Sequence, residues 1–298
     1  MKALVIGGTG GQVARALAAL DGPDFGIDVR GRPNADLAAP STLSAAIADA
    51  KPDVVINCGA YTAVDQAESE PDLARAINAE GPAALGAACT AAGIPVVHLS
   101  TDYVFDGSKT SPYVETDPTA PQSVYGATKL GGETGLAASG AKHVILRVSW
   151  VHAPEGKNFV RTMLRLAGSR ERLGVVADQI GRPTYAPHLA IALRDIAARL
   201  VLDPEAPTGV FHLTGSGEPC SWRQFAETIF AASQVRGGPA AIADPIPASS
   251  YPTPANRPAN SVLDCARITE AYGLILPTWK QGAEECVEAI RAGGWQLG

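Results

Sequence analysis

The chain has 298 residues, with 24 Lys and Arg against 30 Asp and Glu, giving a formal net charge of −6. Hydrophobic residues make up 46% and charged residues 18%, which suits a globular protein with a large core and excludes long disorder. The acidic balance argues against a nucleic-acid partner, which calls for a basic face, and no apolar run approaches the ~20 residues of a membrane span.

At roughly 100–200 residues per domain, the length fits one large domain or two closely joined ones. The five cysteines, Cys58, Cys89, Cys220, Cys265 and Cys286, are scattered and form no C-x-x-C. Reduced thiols in a reducing compartment follow, and the cytoplasm is the expected location. The opening stretch Met1 to Ile6 is too short for a signal peptide and meets Gly7 at once.

In chain order, Leu4-Val5-Ile6 reads as a buried strand that runs into Gly7-Gly8-Thr9-Gly10-Gly11-Gln12-Val13-Ala14. Taken from Gly8 this is G-x-x-G-x-x-A, opening a helix over 11–20. A second strand ends at Ile27-Asp28-Val29-Arg30-Gly31-Arg32, and a helix covers 42–50. The strand Val54-Val55-Ile56 precedes a helix over 72–92 that Gly93 caps. The strand Val96-Val97-His98-Leu99 leads to Ser100-Thr101-Asp102-Tyr103, followed by a helix over 122–138 and the strand Val144-Ile145-Leu146. Such alternation predicts an α/β fold of Rossmann type, a doubly wound parallel sheet with helices on both faces. Right-handed crossovers then gather the strand ends, and any ligand, along one edge.

After about residue 150 the rhythm loosens. A strand is expected at Val210 to Leu213, and Ser221-Trp222-Arg223-Gln224 has the form of a capping box. The Pro-dense stretch Asp244 to Pro258 reads as a wrapping loop. The expected division is a dinucleotide-binding domain over 1–150. Residues 151–298 then form mainly a smaller C-terminal substrate-binding lobe, with some segments returning to the first core.

Three elements carry chemistry. The small residues Gly8, Gly11 and Ala14 let the backbone approach a pyrophosphate at a helix N-terminus. Tyr125-Gly126-Ala127-Thr128-Lys129 sits in a predicted helix, so Tyr125 and Lys129 share a face. A neighbouring ammonium favours phenolate and is expected to pull the tyrosine pKa down, readying it to give a proton to a carbonyl while hydride reaches the carbon. Thr101 and Asp102 lie at a strand end, where this architecture puts its ligands; as isolated residues they would read as an ordinary turn.

Together these motifs resemble the extended short-chain dehydrogenase/reductases. The likeness is closer to their dTDP-4-dehydrorhamnose reductase branch. It is carried also by Asn57, Ala60 to Glu68, Ser100 to Gly107, Arg147-Val148-Ser149-Trp150, Asn158-Phe159-Val160, Asp178 to Thr184 and Arg257 to Ser261, in order along nearly the whole chain. The resemblance implies reduction of a 4-keto group on a dTDP-4-keto-6-deoxysugar by NADPH or NADH. Tyr125 would give the proton, Lys129 would hold the nicotinamide ribose, and Thr101 with Asp102 would meet the sugar carbonyl. Gln12 and Val13 would line the cofactor turn, Asp36 and Leu37 would flank the adenine, and Ala60, Tyr61 and Thr62 would lie along the cofactor. Trp150 would pack on the sugar, with Arg182 and Arg257 as candidates for the diphosphate or nucleotide end. Arg30 and Arg32, at the tip of the second strand, suggest a modest NADPH bias through a 2′-phosphate.

Relatives described as metal-linked dimers carry an acidic side chain just after the glycine turn. Here that neighbourhood reads Ala14-Arg15-Ala16, so magnesium is not supported, while a homodimer stays open. The five histidines, His98, His143, His152, His188 and His212, show no ligand spacing. A related dehydratase would carry Thr-Asp-Glu where this chain has Thr101-Asp102-Tyr103. Another dTDP-4-keto-6-deoxysugar reductase and a non-catalytic nucleotide-binding relative are the competing readings.

Overall fold

A computed structural model describes residues 1–297. Its elements follow the alternation in the sequence. They begin with β1 (Lys2–Ile6), α1 (Gln12–Ala18), β2 (Gly26–Arg30), α2 (Pro40–Ala50) and β3 (Val54–Asn57). Next come α3 (Val64–Ala67), α4 (Pro71–Arg75), a π-helical turn (Ala76–Glu80), α5 (Gly81–Ala92), β4 (Val96–Thr101), α6 (Val124–Ala138) and β5 (His143–Val148). The remaining elements are β6 (Val151–His152), α7 (Phe159–Ala167), β7 (Arg172–Val176), β8 (Ile180–Gly181), β9 (Thr184–Tyr185), α8 (Ala186–Leu202) and β10 (Gly209–His212). The chain closes with β11 (Cys220–Ser221), α9 (Trp222–Gln234), β12 (Ile242–Ile246), α10 (Ala266–Tyr272) and α11 (Trp279–Ala292).

Six strands form one sheet in the order β2–β1–β3–β4–β5–β10, and every neighbouring pair is parallel. Alternate residues of each strand feed opposite faces, as the period of two requires. Ala3, Val5, Val54, Ile56, Val97, Val144 and Leu146 meet Val13, Leu17, Leu189, Leu193 and Ile196 of α1 and α8. Leu4, Ile6, Val55, Val96 and Ile145 meet Leu43, Ile47, Leu85 and Leu136 of α2, α5 and α6. Each such fully buried aliphatic contributes about 1.5–3 kcal/mol. A third cluster gathers Val160, Leu164, Leu173, Phe225, Ile229, Val287 and Ile290 around the β7–β12 ribbon.

The boundaries have local causes. Pro40 opens α2, where its missing N–H costs nothing, which moves that helix two residues upstream of the expected 42. Ser123 accepts the N–H of Gly126 and starts α6 at Val124 rather than 122. Gly93 ends α5 in the left-handed region, at φ +69°. The stretch 72–92 is helical, and a π turn runs through it from Ala76 to Glu80. Ser221 and Gln224 form the full capping box of α9. The wrapping loop expected from Asp244 onward is corrected in its first part: Asp244, Pro245 and Ile246 finish strand β12 on β7. Pro is tolerated there because this short ribbon leaves one edge unpaired.

One buried ion pair fastens α6 to the sheet. Arg147 of β5 donates from Nη2 to Glu133 Oε2 at 2.7 Å and from Nε to Oε1 at 2.9 Å, with both side chains 5% exposed. Ser100 of β4 donates to the same Oε1 at 2.5 Å. Removing one partner strands the other charge in a dry interior. Glu133→Ala is therefore expected to cost about 3–5 kcal/mol in urea unfolding; a loss under 1 kcal/mol would show that water reaches the guanidinium.

Candidate active site

The site is assembled from the carboxyl ends of the strands. After β1 the backbone turns through Gly7 and Gly8, at φ +150° and +67°, and both N–H groups donate to Arg30 O at 3.0 and 3.1 Å. A Cβ on neighbouring Gly31 would come within 2.6 Å of Gly8 Cα, so the ends of β1 and β2 can meet only as glycines. α1 starts at once with Gln12.

Two cavities share Gly7, Gly10, Gly11, Gly59 and Ala60. One, of about 1110 Å³, reaches Asp28, Arg30, Arg32, Asp36 and Leu37 beyond β2. The other, of about 560 Å³, holds Gln12, Val13, Thr62, Thr101, Asp102, Tyr125, Lys129 and Trp150. Inside the second, Gln12 Oε1 and Asp102 Oδ2 are buried without a hydrogen-bond partner. A long groove crossing a glycine turn, floored by unpartnered polar atoms, fits a dinucleotide with a second ligand at its inner end.

Tyr125 and Lys129 stand one turn apart on α6. Lys129 is 2% exposed and donates to Leu99 O at 2.6 Å. Burial lowers its pKa to about 8. The pKa of Tyr125 moves opposite to the expectation: burial pushes it up to about 12, while the Thr101 hydroxyl pulls it down. Desolvation of the phenolate is the largest effect, and Lys129, whose Nζ lies against Leu99 O and His98 Nε2, does not offset it. Tyr103 meets the Tyr125 ring edge-on at 5.4 Å. Thr101, 4% exposed, donates to Asp102 Oδ1 at 3.1 Å and accepts Tyr103 N–H at 3.2 Å.

Other expected residues are placed less centrally. Tyr61 lines neither cavity; its phenol donates to Glu70 at 2.8 Å, and Asn78 in the π turn grips its backbone from both sides. Arg30 is held by Asp28 at 2.9 Å and Asp49 at 2.8 Å, leaving Arg32 exposed at the strand tip. Asp36 Oδ1 accepts the N–H of Ala38 at 2.9 Å, and Leu37 is buried. Trp150 adopts φ +49° and stacks on Trp222 with centroids 3.5 Å apart. Arg257 grips Asp65 with both Nη atoms, at 3.1 and 2.8 Å, beside a separate cavity of about 260 Å³. Arg182 donates to Leu263 O at 3.1 Å and borders another cavity, of about 240 Å³, with Thr214 and Cys265. The structure thus does not bring Arg182 and Arg257 into one cavity, nor either into the cavity of Tyr125.

Just after the glycine turn, Arg15 donates to Thr9 O from Nε and Nη2 at 3.3 and 3.2 Å. Reasoning from sequence gave no role in the site to Asn57, Asn78, His98 or the Glu133–Arg147 pair. The signal for His98 was present, as a polar residue inside an otherwise apolar buried strand.

Fold and groove together define a Rossmann-type oxidoreductase that works with a nicotinamide dinucleotide. The model of the RmlD substrate binding domain family matches residues 1–292. The dTDP-4-dehydrorhamnose reductase of Sinorhizobium fredii is 48% identical over 289 residues, covering 96% of this chain and 97% of its own. A dTDP-4-dehydrorhamnose reductase structure from Clostridium acetobutylicum superposes with a TM-score of 0.89 at 36% identity, covering 98% of this chain and 100% of its own. That of Bacillus anthracis, solved in complex with NADP, gives 0.87 at 33% identity, covering 96% and 98%. The chain belongs to the dTDP-4-dehydrorhamnose reductase family.

Asp102 supplies a test of how dry the site is. It is 3% exposed, and burial raises its pKa from 3.8 to about 6, against the hydrogen bond that Thr101 gives to Oδ1. Between about pH 4 and 6 the folded chain then binds more protons here than the unfolded one, so stability falls as pH rises through that window. At about 1.4 kcal/mol per unit, Asp102→Asn should gain roughly 2–3 kcal/mol over wild type at pH 7 and nothing below pH 4. Unfolding curves across that range read the difference; equal stabilities at pH 7 would mean a solvated carboxylate.

Proposed function

We propose that the chain reduces the 4-keto group of dTDP-4-dehydro-L-rhamnose to give dTDP-L-rhamnose. The observation that carries this reading is the convergence of Tyr125, Lys129, Thr101 and the unpartnered Asp102 Oδ2 in one cavity continuous with the glycine turn. A reduced nicotinamide bound along that groove supplies the hydride. Tyr125 gives its phenolic proton to the ketone oxygen, and Thr101 beside it turns its one hydroxyl proton from Asp102 Oδ1 to the same oxygen. Lys129 holds a ribose hydroxyl and keeps the floor of the site polar. Trp150 offers its ring edge to the sugar. Arg257, across the Asp65 pair, and Arg182 remain our candidates for the nucleotide end. No helix of the described residues is long and apolar enough to cross a membrane, and we place the reaction in the cytoplasm.

Following nicotinamide absorbance with enzymatically made dTDP-4-dehydro-L-rhamnose tests the reading. Turnover is expected, and none with either NADPH or NADH would overturn it. Tyr125→Phe keeps the ring, so cofactor affinity should survive while kcat falls roughly 10²–10⁴-fold, the scale of a lost proton donor. Full activity in this variant would show that the proton comes from elsewhere.

Cofactor choice turns on the end of β2. Arg30 is already neutralised by Asp28 and Asp49, and a phosphate approaching it also meets the Asp28 carboxylate. Arg32 is the exposed cation of this tip. An exposed contact contributes about 0.2–1 kcal/mol, well below the ~1.5–3 kcal/mol of a buried charged hydrogen bond. Both cofactors should be used, with a several-fold preference in kcat/KM for NADPH that Arg32→Ala removes and Arg30→Ala reduces less. A preference for NADH, or a bias untouched by both substitutions, would show that these arginines do not read the phosphate.

A further inference from the structure

His98 lies beneath the active site, fully buried in β4, and two side chains address its ring. Asn57, at the end of β3, places Nδ2 3.0 Å from His98 Nδ1. Lys129 places Nζ 3.4 Å from His98 Nε2. The Asn57 amide cannot be turned round, because its oxygen accepts the backbone N–H of Gly59 at 3.1 Å. Its Nδ2 is therefore the group that faces the imidazole, and Nδ1 must accept. A neutral imidazole carries one proton, which then sits on Nε2. Burial, together with Lys129 and His143 nearby, pushes the His98 pKa well below its ordinary value and keeps the ring neutral.

The Nε2–H points at Lys129. An ammonium there sets donor against donor, with Leu99 O as its one close acceptor at 2.6 Å. A neutral amine instead accepts from Nε2–H through its lone pair and still donates to Leu99 O. The geometry points to Asn57 and His98 as positioning residues that set the basicity of Lys129, by holding His98 in the Nε2–H tautomer and so favouring the uncharged amine.

The other groups facing Lys129 do not cancel this effect. Glu133, one turn further along α6, favours the ammonium, but its charge is taken by Arg147 at 2.7 Å. Cys58, just after β3, acts in the same sense only as a thiolate, and burial pushes that thiol up to about 12. Tyr125, one turn earlier on α6, stays protonated through the same range, and Asp102 bears on Tyr125. Burial lowers the Lys129 pKa to about 8, and the His98 tautomer acts in the same direction. The alkaline limb of the pH–rate profile then belongs to Lys129, with Tyr125 titrating far above it.

The kinetic half of the test rests on the proposed function, and the spectroscopic half does not. In protein labelled with ¹⁵N-histidine, long-range proton–nitrogen correlations at pH 7 should show His98 protonated at Nε2 and bare at Nδ1. A proton on Nδ1, or an imidazolium, would overturn the inference even if the enzyme turns over. Asn57→Asp keeps one oxygen for Gly59 N–H and offers the other to His98, so the proton should move to Nδ1. The lone pair on Nε2 then faces Lys129, and the alkaline limb of kcat should rise by about one pH unit or more. A limb that stays in place overturns the coupling. So does a limb that moves while the proton remains on Nε2, since added charge alone would explain it. Absence of turnover in wild type would sink the functional reading while the tautomer result still decides this one.

Discussion

Everything in the site depends on how closely α6 approaches the elements beneath it. The helix carries both Tyr125 and Lys129, and it can reach β4 and the π turn only because its contact face is stripped to glycine. A Cβ on Gly126 would strike Tyr103 O, and one on Gly132 would strike Asn78 O. Glu133, next to Gly132, then spends its charge on Arg147 and its remaining capacity on Ser100. The close approach and the ion pair fix translation and rotation of one helix together. A looser α6 would still be a helix, but Lys129 would no longer reach Leu99 O and His98.

Burial then moves three ionisable groups in the same small volume, each away from its charged form. Asp102 rises to about 6, Lys129 falls to about 8, and Tyr125 rises to about 12. An acid and a base that would sit far from neutrality in water are brought to either side of it by a single cause. The fold bears the cost at pH 7 for Asp102 and Lys129, which would carry charge there in the unfolded chain; Tyr125 keeps its proton in both states and costs nothing until well above about pH 9. The unpartnered Asp102 Oδ2 and Gln12 Oε1 point the same way, because a closed site keeps polar atoms waiting for a ligand.

The sequence displayed the backbone of this arrangement. Short continuous apolar runs and the glycine turn placed the strands, and Y-x-x-x-K at helical spacing placed Tyr125 over Lys129. What stayed hidden was long-range. Nothing near Arg30 in sequence says that Asp49, on α2, would reach it. The pairing of Asp65 with Arg257 joins residues 192 positions apart, so an arginine read as free for a ligand proved to be held. Tyr61 sits in the expected segment, but its ring follows Glu70 away from the groove. The upward shift of Tyr125 could not be read either, because a neighbouring lysine in sequence says nothing about where its ammonium finds an acceptor.

That upward shift bears on the direction of the chemistry. Reduction of a ketone leaves an alkoxide, a far stronger base than any phenolate, so proton transfer from a phenol of pKa near 12 runs downhill. A donor must arrive protonated, and Tyr125 holds its proton across the neutral range without help. Oxidation of the alcohol would need the phenolate at the outset, which burial disfavours and Lys129 does little to restore. The electrostatics of the free chain therefore lean toward the reductive direction, and the Thr101 hydroxyl, which lowers the Tyr125 pKa, tempers that bias instead of reversing it. In the function we propose, Lys129 binds hydroxyl groups, a task in which a group that can both give and accept hydrogen bonds serves better than a fixed cation.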